Sequence, residues 1–167
     1  MCQAYRRQYG FDAIGVMPTN LYGPGDNFHP DNAHVLPGLM RRFHEAKLGG
    51  VDEVVIWGTG TPRRELLHVD DLADAVVQLT ETYEGEDIVN IGTGQDVSIR
   101  ELAELMREVT GYHGDIVNDA SKPDGTPRKL LDVSRLHALG WQAKIPLRQG
   151  VEDTYRWFLD HRGEVRS

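Results

Sequence analysis

His34 stands where a polar stretch, Pro18 to His34, runs into an apolar segment of helical spacing. An imidazole titrates near neutrality, so it can give or take a proton at physiological pH. Asn27, Asp31 and Asn32 are its polar neighbours in sequence. The competing reading is a helix-entry residue that bonds backbone groups. His29, held between Phe28 and Pro30, reads as structural. Asp26, His29 and His34 match the spacing of no established metal site, so no metal is expected. Arg42, Arg63 and Arg64 are the cations best placed for an anion. Arg64 follows a Gly/Pro turn and enters an extended segment, where a guanidinium can fork onto a phosphate. Arg63, its neighbour, should then point to the opposite side. For either one, a solvated surface charge is the competing reading. Trp57, at a strand end beside the same turn, offers a flat face to a base or sugar, against the core packing that is usual for an indole. Asp124, in Lys122-Pro123-Asp124-Gly125, reads by itself as a turn residue.

These residues need elements to hold them. Met1 to Tyr9 reads as the last turns of a helix stopped by Gly10. That points to the later part of a longer protein, or to a chain begun at an internal Met. A strand follows over 13–17, then a long loop to His34, of the kind that is usually either functional or mobile. A helix over about 35–47 carries Pro37 in its first turn, where the missing N–H costs little. Strands are expected at 54–57 and 65–69 around the turn Gly58 to Pro62. Asp70 then caps a helix with Leu72, Ala75, Val76, Leu79 and Tyr83 on one face. Residues 87–91 read as another apolar strand. Ser98 and Glu101 form a capping box for a helix with Ile99, Leu102, Ala103, Met106 and Val109 inward. Short strands at about 115 and over 129–132 flank a polar loop. A short helix starts at Ser134, a last helix runs over about 147–161, and the tail 163–167 should fray. Strands alternating with helices make the fold α/β.

Composition narrows the partners. The net charge of −8 argues against general affinity for nucleic acid or acidic membranes, so an anionic ligand needs a local basic cluster. The single cysteine, Cys2, rules out an internal disulfide and suits a reducing compartment. No run is apolar enough to span a bilayer and no signal peptide opens the chain, so a cytoplasmic protein is expected. Among 18 Gly there is no Gly-x-Gly-x-x-Gly, and none of the six Tyr has a Lys four positions later. Gly58-Thr59-Gly60 and Gly92-Thr93-Gly94 are lone fragments, weak as phosphate loops.

The motifs combine into a resemblance. Asn20-x-Tyr22-Gly23-Pro24, Arg64-x-x-x-His68-Val69-x-Asp71-Leu72-Ala73, Asn90-x-Gly92 and Leu139-Gly140-Trp141 resemble the second half of an extended short-chain dehydrogenase/reductase. The run from Pro18 to Pro24, Asp26 to Pro30, His34-Val35, Arg41-Arg42-Phe43 and Lys122 to Lys129 is more narrowly similar to the GDP-L-fucose synthase family. Together these segments span nearly the whole chain. The resemblance implies the last strands of a Rossmann-type parallel sheet (about 1–34 and 70–95) and a small α/β substrate-binding domain (about 35–69 and 96–167). It implies NADP(H) as cofactor, a GDP-sugar as substrate and a homodimer in the full-length form. The implied reaction epimerises C3 and C5 of GDP-4-keto-6-deoxymannose and then reduces C4. Pro18, Thr19, Asn20 and Leu21 would contact the cofactor, as would His34, which is also the acid in epimerisation. Arg42, Trp57, Arg64 and Asp124 would hold the GDP-sugar. The family's glycine-rich loop, Tyr-x-x-x-Lys pair and Cys base have no counterpart here. Cys2 is not that base, since it falls beyond the start of the Tyr-x-x-x-Lys helix. The expectation is a C-terminal portion, inactive as a reductase alone. Its rivals are another nucleotide-sugar epimerase/dehydratase and a non-catalytic nucleotide-sugar-binding or partner module.

Overall fold

Short parallel strand pairs organise the chain in the computed structural model, which describes residues 1–163. The expected fraying of the tail lies, apart from Gly163, outside those residues. Helix α1 (Cys2–Tyr9) ends as expected at Gly10, whose φ of 63° lets its N–H reach Arg6 O. Strand β1 (Val16–Pro18) pairs in parallel with β5 (Val89–Ile91). Strand β2 (Asn20–Tyr22) pairs in parallel with β4 (Arg63–His68). The expected strand over 13–17 and continuous loop from Pro18 are thereby corrected. Thr19 N donates to Ile91 O and Asn20 Nδ2 to Glu65 O, so these polar groups are spent on neighbouring strands. The backbone steps from one sheet to the next instead of looping out.

Strand β4 is the most connected element. Strand β6 (Asp96–Ser98) pairs with it antiparallel and β8 (Arg128–Lys129) in parallel, both at Arg63 and Arg64 and therefore on opposite edges. Strand β6 is not expected from the sequence, because three residues carry no period of their own. Strand β8 lies ahead of the expected 129–132 because Arg64, not an apolar pattern, sets its register. A third parallel pair joins β3 (Glu53–Trp57) to β7 (Asp115–Asp119).

The helices cover these pairs. Helix α2 (Val35–Gly49) has Pro37 in its first turn and Gly50 as a left-handed stop. Helix α3 (Val69–Thr82) is capped by His68, not by Asp70: His68 Nδ1 accepts the Asp70 N–H at 3.2 Å. Asp70 thus sits inside the first turn, where its charge favours the helix dipole. Helix α4 (Ile99–Thr110) has the expected capping box, Ser98 with Glu101. Helices α5 (Ser134–Ala138) and α6 (Leu147–Asp160) complete the described chain. None of the described helices is long and apolar enough to cross a membrane.

Two cores result. The first joins Phe28, Met40 and Phe43 to Ile56, Leu102, Met106, Val151 and Phe158. The second joins Leu67, Ala75 and Leu79 to Val89, Ile91, Leu136 and Trp141.

Candidate functional site

A pocket of about 600 Å³ opens between the start of α2, the end of β3 and residues 123–125. It brings together His34, Arg42, Trp57, Arg64 and Asp124. Each is aimed by its element. His34 is the extended residue ahead of α2 (φ −64°, ψ 165°), and its side chain makes no capping bond. His34 is thus the helix-entry residue by position, but its exposed imidazole does not cap the helix. Behind it, Asp26 Oδ1 accepts the Asn27 N–H at 2.7 Å, while Oδ2 is buried with no partner among the described residues. Burial pushes the Asp26 carboxyl up from its ordinary value; the Asn27 N–H and the charge of His34 draw it back. The loop is held from within by Asn27 Nδ2 on Asn32 Oδ1 and by the Asp31 N–H on His29 Nδ1, so His29 is structural as expected.

On α2, Arg42 Nη1 donates to Val55 O at 2.8 Å. Along β3, Val54 and Ile56 are buried while Val55 and Trp57 face out. That alternation overturns core packing for Trp57, which is 64% exposed. Lys122 Nζ lies 5.7 Å from the centre of its ring. Alternation also separates the two arginines of β4. Arg63 Nε donates to Asp96 Oδ1 at 2.7 Å, and Asp96 takes Arg128 as well. Hydrogen bonds from Arg128 and then Arg63 hold the Asp96 carboxyl below its usual range. Arg64 instead lies along the pocket wall, its Nη1 donating to Thr126 O at 2.6 Å. Asp124 is more than a turn residue: its carboxylate receives the N–H (2.8 Å) and hydroxyl (2.7 Å) of Thr59.

Pro18, Thr19, Asn20 and Leu21 lie outside this pocket, where β1 passes into β2. Thr19 is buried, and Asn20 donates to Glu65 O at 2.7 Å while its Oδ1 accepts from Lys129 Nζ at 3.1 Å. Pro18 and Leu21 remain half-buried. Three residues that sequence reasoning passed over matter here: Thr59, Lys129 and Glu65. Glu65 is fully buried, and its carboxylate accepts Gly94 N at 2.7 Å and Leu131 N at 2.9 Å. The signal was available in Arg63-Arg64-Glu65-Leu66-Leu67, a carboxylate entering an apolar strand.

A largely parallel α/β frame thus lies beside a pocket lined by two guanidiniums, Arg42 and Arg64, and the exposed indole of Trp57. The chain matches the NAD dependent epimerase/dehydratase family over residues 1–92 and belongs to it. It is 65% identical over 158 residues to GDP-L-fucose synthase 1 of Arabidopsis thaliana, covering 95% of this chain and 49% of that one. It is 54% identical over 176 residues to the GDP-L-fucose synthase of Escherichia coli strain K12, covering 100% and 55%. The chain thus spans about half the length of the curated relatives it matches. The solved GDP-L-fucose synthetase of Naegleria fowleri bound to NADP superimposes with a TM-score of 0.87 at 31% identity, over 92% of this chain and 49% of that one.

Proposed function

We propose that this chain forms the nucleotide-sugar-holding part of a GDP-L-fucose synthase. That enzyme carries out the NADPH-dependent 3,5-epimerisation and 4-reduction of GDP-4-keto-6-deoxy-D-mannose. The observation that carries the reading is the pocket: two guanidiniums, an exposed indole and a fixed carboxylate converge in a chain that is acidic overall. Arg42 and Arg64 meet the diphosphate, Trp57 covers a ring, and Asp124 accepts bonds from ligand hydroxyl or amino groups. The protons at C3 and C5 flank a ketone and are acidic enough for a protein base. His34, free of any capping bond, returns a proton to the sugar.

The crevice beyond the carboxyl ends of parallel strands is where open α/β sheets receive dinucleotides, and β1 and β5 end there beside Thr19. Half-buried Pro18 and Leu21 give that edge an apolar surface suited to a nicotinamide ring. Thr19, Asn20 and His34 complete the residues that would hold the cofactor. When bound, NADPH supplies the hydride that reduces C4.

Calorimetric titration tests the reading. GDP should bind, and Arg64→Ala should weaken it roughly ten- to a hundredfold, the worth of a charge-assisted bond. Arg63→Ala should change little, because that guanidinium is committed to Asp96. Equal losses at both positions would mean general charge attraction. UDP binding as tightly as GDP would move the chain to another nucleotide-sugar enzyme of the family.

A further inference from the structure

The segment 120–126 borders the pocket, is exposed throughout and has no secondary structure beyond a turn at its start. Beyond the turn that ties Ser121 and Lys122 to Asp119, its hold on the rest of the molecule comes from side chains at the pocket rim. Arg64 Nη1 binds Thr126 O, Lys122 lies over the Trp57 ring, and the Asp124 carboxylate grips Thr59. Thr59 is the centre of the last contact. Its N–H and its hydroxyl donate to different oxygens of Asp124. A hydroxyl has one proton to give, and here it goes to the carboxylate. Thr59 Oγ1 must therefore accept from its other partners, the Thr61 hydroxyl at 2.7 Å and the Thr61 N–H at 3.2 Å. The order Thr61, Thr59, Asp124 points every donor towards the carboxylate.

The turn that carries Thr59 is itself fixed. Gly58 N donates to Asp119 O, Gly58 O accepts from Asn118 Nδ2, and Gly60 O accepts the Arg100 N–H. Gly58 has a φ of +71°, and a Cβ there would meet Asp124 Oδ1 at 2.1 Å. Only glycine leaves room for this carboxylate. Asp124 retains about half of its acceptor sites after Thr59 is satisfied, and it lines the pocket.

We propose that Thr59 is a positioning residue for the nucleotide sugar: through its hydroxyl it holds Asp124, and with Asp124 the segment 120–126, against the ligand. The role rests on the nucleotide-sugar reading above, since it adds a residue to that same pocket. Thr59 is exposed and outside both cores, so its hydroxyl contributes to site geometry far more than to folding.

The test uses Thr59→Val, which keeps the shape and removes the hydroxyl, Thr59→Ser, which keeps the hydroxyl, and Asp124→Ala. The measurements are calorimetric titration with GDP, and amide ¹⁵N relaxation of residues 120–126 without ligand. Thr59→Val should weaken GDP about tenfold and lower the order parameters of Asp124 and Gly125 towards the flexible range. Thr59→Ser should restore both, with the thermal midpoint unchanged across the set. In an Asp124→Ala background, Thr59→Val should have no further effect on affinity. Wild-type affinity and order in Thr59→Val would overturn the proposal, as would an undiminished affinity loss in the Asp124→Ala background. If the wild type binds no GDP, the nucleotide reading fails by itself. The order parameters then decide alone: a drop in Thr59→Val that Thr59→Ser reverses upholds Thr59 as the holder of Asp124, and unchanged order refutes it.

Discussion

Removing the Glu65 carboxylate should cost more stability than any exposed ion pair in the molecule. Its oxygens accept the N–H groups of Gly94 and Leu131, and no part of the residue is exposed. Glu65→Ala strands both donors, at about 1–3 kcal/mol for each unsatisfied group. Both bonds are only part-buried, so water can reach the freed donors and the lower end applies. Losing the one buried methylene, Cγ, adds about 0.8 kcal/mol. The sum is about 3 kcal/mol, or roughly 6–12 °C in Tm for a chain of this size. Glu65→Gln keeps one acceptor and should cost about half as much. Thermal unfolding followed by circular dichroism reads both. A second substitution sharpens the test. A Cβ on Gly92 would stand 2.3 Å from Glu65 Oε1, which the Gly94 N–H, with the Leu131 N–H on Oε2, keeps from moving aside. Gly92→Ala should therefore cost about 1–3 kcal/mol by overpacking, and nothing once Glu65 is alanine. Purely additive losses, or a Glu65→Ala midpoint within about 2 °C of wild type, would refute the view that this carboxylate is pinned.

Other outcomes follow from the same reasoning. Burial, with the charges of Arg162 and Lys47 behind it, lowers the His44 imidazole from its ordinary 6.5. The unfolded chain then takes up a proton that the folded one refuses. Stability from this group is complete above about pH 6.5 and falls as acid carries pH down through the depressed folded value. His44→Phe should flatten Tm against pH between about 7 and 5, and an unchanged slope would count against it. Ser98→Ala should lose about 1 kcal/mol, or roughly 2–4 °C, by opening the capping box of α4. Gly150→Ala improves helix propensity by about 1 kcal/mol, yet its Cβ would meet Tyr22 Oη at 2.2 Å. Overpacking should win and Tm should fall; a rise would show that Tyr22 moves freely. In an enzyme that contains this chain, His34→Asn should slow solvent deuterium exchange at C3 and C5 by roughly 10²–10⁴ and damage NADPH binding far less.

What the residues disclosed in advance depended on the range of the interaction. Gly10, Gly50 and the Ser98–Glu101 box are local devices, and their elements lie where the pattern puts them. The separation of Arg63 from Arg64 needs only strand alternation, and it holds. His68 displaced Asp70 as a cap because its ring is buried beside Tyr22 and turned onto the helix end, which no local pattern records. Strands β2 and β6 exist through partners 46 and 35 positions away, as the register Asn20 with Leu66 and Arg63 with Ser98 makes plain. The candidate site was legible by residue type, since His34, Arg42, Trp57, Arg64 and Asp124 do meet. Thr59 was not, because its importance lies in a bond to a residue 65 positions on.

Strands β2 and β4 have a further consequence. Successive residues face opposite chambers: Tyr22 and Leu66 belong to the first core, Leu67 and the partly buried Leu21 to the second. The pair is a septum one peptide thick, with close-packed side chains on either side. A slip of one residue would exchange the contents of both chambers, so this register is fixed twice over. A septum packed from both sides also transmits displacement, since neither chamber has slack to absorb it. Asn20 and Arg64 sit on the two strands of this septum, Asn20 in β2 and Arg64 in β4.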